Sequence, residues 1–400
     1  MVPHPGAGGA SQRSYHLLCQ AASRHRVHLV ALHRPRLLSP DLLSQATVDL
    51  GRRCTLDVLP LVRDRSALHR LWTAAMGLWR SEPYETLWLE NDRLRVRLLV
   101  LARTTGYDVI YVDTLGLLPY AAAFPNAATV LTHHDIQSLL FARRASQEGR
   151  TLRGLYSRFE AGKLERAERE LAPRVTLNVT VSGLDAERLT EIAGASRLAV
   201  VPNGVDVDYF RPSAGDDSAG LVFAASFDTI PNQDAVRYFL GEIWPVLVAD
   251  DPRRRIAFVG RGPGSEMKKA AADRRVTVTG PVADVRPFIA AATIYVCPLR
   301  VGGGTRLKVL DALAMGKALV ATKLSVEGLG LIPEVHYLEA ETPLDFLKQI
   351  RRVEADPHLR RRLGQSGREL VERQYAWNVI GVELDQAYRT AVATRVAGAP

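Results

Sequence analysis

The residues best suited to chemistry lie in 302-GGGTRLKVLDALAMGK-317. Gly302, Gly303 and Gly304 leave backbone N–H groups open to close approach by a ligand. The helix expected from about Thr305 to Met315 presents the positive end of its dipole to the same place. Arg306 offers a fork that matches phosphate oxygens, and Lys308 adds a compact positive charge. Asp311, one turn into the helix, can accept hydrogen bonds from a ribose diol, as acids do in other nucleotide folds. The combination describes a diphosphate cradle with a ribose acid. A plain glycine turn closed by a Lys308–Asp311 ion pair at i, i+3 is the alternative. The segment does not satisfy G-x-x-x-x-G-K-[ST], so it is not a P-loop. Gly6-Ala7-Gly8 and Gly260-Arg261-Gly262 both lack the third glycine of a dinucleotide fingerprint, which leaves a nicotinamide enzyme weakly supported.

A second group is His133 and His134, which end an apolar run and precede Asp135. Adjacent strand residues face opposite ways, so the pair is badly placed to hold one metal ion. The only Asp-x-Asp pair that could hold a metal ion, Asp206-Val207-Asp208, falls in a Pro/Gly/Asp-rich stretch and reads as turn chemistry. Cys19, Cys54 and Cys297 have no C-x-x-C spacing, which argues against a disulfide framework or zinc site and suits a reducing cytoplasm. No metal and no cofactor are therefore expected.

These groups need a scaffold, and the chain supplies one by alternation. Strands are expected at Val27–Leu32, Thr55–Leu59, Asp108–Val112, Ala128–Thr132, Thr176–Val181 and Leu198–Val201. A second series follows at Gly220–Ala224, Arg255–Val259, Arg275–Thr279, Thr293–Pro298, Lys317–Ala321 and His336–Glu339. Helical patterns such as Gln12–Ser23, Ala161–Leu171 and Asp234–Val248 separate them. Strands alternating with helices imply parallel sheets covered on both faces, and two series imply two doubly wound α/β domains facing a cleft. In such sheets ligands sit beyond the carboxyl ends of the strands. The expected division is an N-terminal domain 1–201, a linker 202–219, a C-terminal domain 220–375 and a closing helix 376–400 that packs back on the first domain. Gly8 and Gly9 precede a helix with no strand before them, although a loop of this kind normally follows one; the first strand is expected to be missing.

At 400 residues, 47% hydrophobic and 24% charged, the chain is large enough for two cores. Its net charge of +9 and pI near 9.6 favour an anionic partner such as a phosphate-rich ligand. No run of about 18 apolar residues and no signal-peptide pattern occurs, and a cytoplasmic location is expected. The segment 71–101 mixes Trp, Leu and Arg. It is read as a buried helix pair, with docking on an anionic membrane or lipid-linked acceptor as the alternative.

The string GGGTRLKVLDALAMGKALVAT resembles the sugar-nucleotide-binding segment of family 4 glycosyltransferases of the GT-B fold. The likeness continues through Gly8-Gly9 with Arg13, 129-TVLTHHDIQ-137, 200-VVPNGVDVDYFRP-212, 222-VFAASFDTIPNQDAVRYFL-240, 258-FVGRGP-263, 276-VTVTGPVADV-285 and Arg368…Tyr375-Ala376-Trp377. The resemblance implies two Rossmann-like domains and metal-independent, retaining transfer of a sugar from a nucleotide-diphosphate donor to a sugar, polysaccharide or lipid-linked acceptor, with no nucleic acid involved. It implies that Asp311 takes the place of the family's ribose-binding glutamate, one methylene shorter, and that the family's other glutamate falls on Gly303. The family's diphosphate-gripping Arg and Lys fall on Ser226 and Asn232, so Arg306 and Lys308 inherit that role. Main-chain groups of Gly280 and Val282 are implied to meet the nucleobase. His134, with His133 as the fallback, would orient the donor sugar. Gly8, Gly9 and Arg13 would form the loop between acceptor and donor phosphates. A sugar-nucleotide 2-epimerase of the same fold, or a catalytically degenerate binding protein, are the competing readings.

Overall fold

The protein was analysed as a computed structural model. It describes residues 1–5, 8–34, 39–61, 72–73, 76–77, 79–194, 197–213, 220–302 and 306–397. Twelve strands run in chain order: β1 His28–His33, β2 Thr55–Pro60, β3 Val109–Val112, β4 Ala128–His133, β5 Leu177–Thr180, β6 Leu198–Val200, β7 Leu221–Ala224, β8 Ile256–Val259, β9 Val276–Val278, β10 Ile294–Cys297, β11 Ala318–Ala321 and β12 Leu338–Glu339. Each lies on a segment that the sequence marks as a strand, with ends displaced by two residues at most. Every pairing between them is parallel.

The chain divides into two compact units, Met1–Pro202 with Ile380–Pro400, and Asn203–Val379. The last helix, Trp377–Ala397, therefore starts in the second unit and belongs to the first from Ile380 onward. Residues 203–213 fold with the second unit: Val205 is buried and forms a bridge to Ala376. The Arg368 guanidinium donates to the carbonyl oxygens of Val207, Phe210 and Ala314 at 3.0, 2.7 and 2.5 Å. Residues 214–219 of the expected linker lie outside the described residues.

In the second unit six strands form one sheet in the order β12-β11-β10-β7-β8-β9. Strands β7, β10 and β11 are buried along their whole length, as the central strands of a sheet covered on both faces should be. The order reverses between β7 and β10, and that reversal opens a crevice at the carboxyl ends of these two strands. The segments leaving them, 225–232 and 298–306, carry Ser226, Asn232 and the glycine-rich turn.

In the first unit β3-β4-β5-β6 form a four-stranded sheet and β1-β2 a separate pair. One helix departs from expectation. The pattern 234–248 is split into Ile230–Tyr238, a π-helical turn Phe239–Ile243, and Trp244–Asp250. Pro245 has no N–H to donate to Gly241, and the wider turn absorbs the break.

Candidate active site

The helix Leu307–Ala314 sits behind the crevice. The sequence suggests Leu307, Leu310 and Ala314 as its buried stripe. In the structure Val309, Leu310, Ala312, Leu313 and Ala314 are all buried, while Leu307 is only half-buried. The helix is enclosed because the long helix Pro357–Gln374 closes on it. Gly367 lies against Leu313, so a Cβ at 367 would come within 2.6 Å of Leu313 Cδ2. What remains open is the edge bearing Lys308 and Asp311.

The Lys308 ammonium donates to Asn232 Oδ1 and stands 5.3 Å from the centre of the Phe223 ring on β7. The Asn232 amide in turn donates to the Ser226 carbonyl oxygen at 2.8 Å. The cation carried by the Leu307 helix thus ends at the two positions, 226 and 232, where the resemblance would otherwise have placed cations. The ion pair expected of a plain turn does not form among the described residues; Lys308 bonds to Asn232 instead. Burial pulls the Lys308 ammonium down to about 8, because a desolvated charge is disfavoured. Asp311 Oδ1 is shielded from solvent and has no hydrogen-bond partner among the described residues. Burial raises its carboxyl to about 8, and the attraction of Lys308 offsets only part of that rise.

Arg306 precedes the helix. Gly302, at φ 129°, lies directly under its guanidinium: a Cβ there would sit 2.9 Å from Arg306 Nη2 and 3.5 Å from Pro231 Cγ. The backbone conformation and the close packing both call for glycine at this position. Gly303, Gly304 and Thr305 lie outside the described residues. At the end of β8, Gly260 meets the β7 turn so closely that a Cβ would fall 1.9 Å from the Ala225 carbonyl oxygen. Gly280, at φ 68° with open space where its Cβ would be, follows β9. Val282 packs against the core of the unit. The Asp206 carboxylate accepts from the N–H groups of Asp208 and Tyr209 at 3.2 and 2.9 Å, an Asx turn that occupies the Asp-x-Asp pair.

In the first unit the two histidines separate. His133 is buried and bonded through Nε2 to Asn178 Oδ1 at 3.0 Å. Burial holds its ring neutral, with a pKa of about 4. His134 is partly exposed, and its Nε2 lies 3.2 Å from Asp113 Oδ1. Asp113 follows the end of β3 and also accepts from the Ser14 hydroxyl at 3.0 Å. Burial pushes the Asp113 carboxyl up, but His134, the N-terminal ammonium and Ser14 together leave it below the usual range. Asp113 is the one addition to the expected set. An acid just past the carboxyl end of a parallel strand, in 109-VIYVDT-114, was the available signal. Gly8, at φ 110°, caps the helix Gly9–Ala22. Arg13 on that helix is fully buried and donates to the carbonyl oxygens of Val201 and Pro202, both at 2.6 Å. In this state Arg13 ties the helix to the end of the unit.

A family model described as Glycosyltransferase Family 4 matches residues 7–209, and one described as Glycosyl transferases group 1 matches residues 218–356. The chain belongs to glycosyltransferase family 4. It is 27% identical over 319 residues to the MMP alpha-(1->4)-mannosyltransferase of Mycolicibacterium hassiacum, covering 75% of this chain and 74% of that protein. It is 26% identical over 242 residues to the D-inositol 3-phosphate glycosyltransferase of Streptomyces bingchenggensis, covering 52% and 51%. Among solved structures, Anabaena HepE in complex with UDP and glucose superposes with a TM-score of 0.67 at 14% identity, over 96% of both chains. The sucrose-phosphate synthase of Thermosynechococcus elongatus superposes with a TM-score of 0.62 at 16% identity, over 92% of this chain and 100% of that one. The fold is GT-B, with a Rossmann-like parallel sheet in each unit, and the protein is a glycosyltransferase. No helix among the described residues is long and apolar enough to cross a membrane. The second unit gathers Arg306 and Lys308 near the carboxyl ends of β7 and β10.

Proposed function

We propose that the protein transfers a sugar, with retention of anomeric configuration and without a metal ion, from a nucleoside-diphosphate donor held by the second unit. The acceptor is a sugar, polysaccharide or lipid-linked glycan. The observation that carries the reading is the Lys308 ammonium seated on Asn232, at the point where the parallel sheet reverses its strand order. When the bond from the anomeric carbon to the diphosphate breaks, negative charge grows on the leaving phosphate. Arg306 and Lys308 stabilise that charge, as fixed cations do in a site shielded from water. Asp311, whose carboxyl burial keeps largely protonated at neutral pH, meets the ribose hydroxyls, its carbonyl oxygen accepting and its O–H donating. Main-chain groups around Gly280 and Val282 border the base. His134, held by Asp113, orients the donor sugar, whereas the buried, neutral His133 is a core residue.

The two relatives named above carry mannosyl- and glycosyltransferase names, and HepE was crystallised with UDP and glucose. These favour transfer to a sugar-like acceptor over epimerisation of the donor alone. The test is incubation with UDP- and GDP-sugars and candidate acceptors in the presence of EDTA, with products read by NMR. A product of retained configuration, formed only with acceptor, supports the reading. An inverted product, activity abolished by EDTA, or epimer formed without acceptor would each overturn it.

A further inference from the structure

The segment that leaves β10 is glycine-rich, and bare backbone does not hold its own shape. A diphosphate cradle must nonetheless be in place before charge grows on the leaving group. The segment is fastened at both of its described ends. At the upstream end the Leu299 N–H donates to the Ser325 hydroxyl at 3.2 Å, and the Leu299 carbonyl accepts from the Thr322 hydroxyl at 2.5 Å. Arg300 then turns onto the helix Ile230–Tyr238. At the downstream end Lys308 reaches Asn232 of that same helix. Between these two points Gly302 lies over Pro231, whose Cγ a Cβ at 302 would meet at 3.5 Å. One helix therefore carries the glycine-rich segment from Arg300 to Lys308.

The Arg300 contacts are specific in shape. Its Nε and Nη2 lie 3.3 and 3.2 Å from the two carboxylate oxygens of Asp234, a fork on one acid. Its Nη1 lies 3.4 Å from Glu242 Oε1. The guanidinium stands 4.1 Å from the centre of the Tyr238 ring, within range of a cation–π contact. Tyr238 is a fixed platform: it is buried, and its hydroxyl donates to the Glu341 carbonyl at 2.8 Å. In a regular α-helix residues 234, 238 and 242 would drift about 40° around the axis at each step of four. The π-helical turn Phe239–Ile243 winds less per residue and returns Glu242 to the face of Asp234 and Tyr238. A single exposed ion pair contributes little. Here a fork, a second acid and an aromatic face converge on one guanidinium.

We infer that Arg300 is a positioning residue for the donor site. Clamped to Asp234, Glu242 and Tyr238, it fixes the upstream end of the glycine-rich segment, so that Arg306 and Lys308 meet the diphosphate already assembled. This role presupposes the proposed one of Arg306 and Lys308 as the cations that hold the diphosphate. Arg300 acts through the segment, and its own charge stays on the two acids. Removing Asp234 should then weaken the donor site as removing Arg300 does. A cation that touched the phosphate itself would instead be freed by the loss of its acid, and binding would hold or tighten.

The test is calorimetric titration of UDP and GDP into wild type, Arg300→Ala, Asp234→Ala and the double variant. Arg306→Ala runs alongside, as does Arg253→Ala, which removes a positive charge paired with Asp251 ahead of β8. Arg300→Ala and Asp234→Ala should each weaken the preferred nucleotide about fivefold. The double variant should be no weaker than either single one, because both remove one interaction. Arg300→Lys, which keeps the charge without the fork, should recover only part of the loss. Arg253→Ala should bind as wild type does. Uridine and guanosine, followed by ligand-observed NMR, should bind all variants alike, since they carry no diphosphate. Unchanged nucleotide affinity in Arg300→Ala would overturn the inference. So would an equal loss for the nucleosides, an equal loss in Arg253→Ala, or Asp234→Ala binding as tightly as wild type. Weakened binding in Arg306→Ala with Arg300→Ala unchanged overturns this inference alone. Wild-type affinity in Arg306→Ala would overturn the donor-site reading and the role of Arg300 with it.

Discussion

Replacing Asp311 by Asn should stabilise the unliganded protein while weakening the donor site. The Asp311 carboxyl has no partner for Oδ1 among the described residues, so an amide of the same shape loses no internal hydrogen bond. Burial raises the carboxyl from 3.8 to about 8. At 1.36 kcal/mol per pH unit, ionising it in the folded state costs at most about 6 kcal/mol. The side chain is half-buried and faces an open edge, so water screening reduces that ceiling to roughly 1–2 kcal/mol. Because the folded pKa is the higher one, the wild-type group is neutral and harmless below pH 3.8. Its cost grows as pH rises toward 8. Asp311→Asn should therefore melt with wild type at pH 4 and about 3–6 °C above it at pH 8. Scanning fluorimetry across that range measures the difference. Above about pH 8, where the wild-type carboxyl is ionised, nucleoside-diphosphate affinity should fall about tenfold or more, as expected for losing hydrogen bonds to a charged acceptor. Destabilisation at pH 8, or a gain independent of pH, would refute the reasoning that Asp311 is a strained, unpartnered acid.

Donor affinity should decline above about pH 8 as Lys308, pulled down to about 8 by burial, loses its proton. Lys308→Arg should remove that decline up to about pH 9.5, since a guanidinium does not titrate there; isothermal titration at several pH values checks this. Gly302→Ala should displace Arg306 and strain a backbone at φ 129°, lowering donor affinity roughly tenfold or more, by analogy with losing a charge-assisted contact. His134→Ala and Asp113→Asn should lower kcat with little change in nucleotide affinity, because both belong to the first unit. His133→Ala should instead cost about 1–3 kcal/mol of stability through loss of a buried, bonded ring, seen as a lower Tm.

Much of the fold was legible because it rests on short-range patterns. Short apolar runs such as 221-LVFA-224 and 318-ALVA-321, alternating with helical patterns, marked all twelve strands to within two residues. The ends moved inward at Thr293, whose N–H reaches Gly220 just ahead of β7, and at Pro298, which has no N–H to give a ladder. The glycine-rich turn was legible as a ligand site because few other roles require bare backbone beside Arg306 and Lys308. What the sequence could not reveal depends on distant contacts. Nothing local says that Lys308 ends on Asn232, 76 positions away. The enclosure of the Leu307 helix arises from glycines at 364 and 367, and the Arg13 bonds to Val201 and Pro202 span 188 and 189 positions. Asp113 was passed over because its role rests on His134 and Ser14, neither of which neighbours it in sequence.

The central claim is that Arg306 and Lys308 hold the diphosphate of the donor. It is tested most directly by titrating UDP and GDP into wild type, Arg306→Ala, Lys308→Ala and the double variant by calorimetry, without metal. Each single variant should bind the preferred nucleotide about 10–100-fold more weakly, in line with about 1.5–3 kcal/mol for a charged hydrogen bond. The double variant should show no measurable heat while keeping its melting temperature. Binding by the double variant with wild-type affinity would contradict the account.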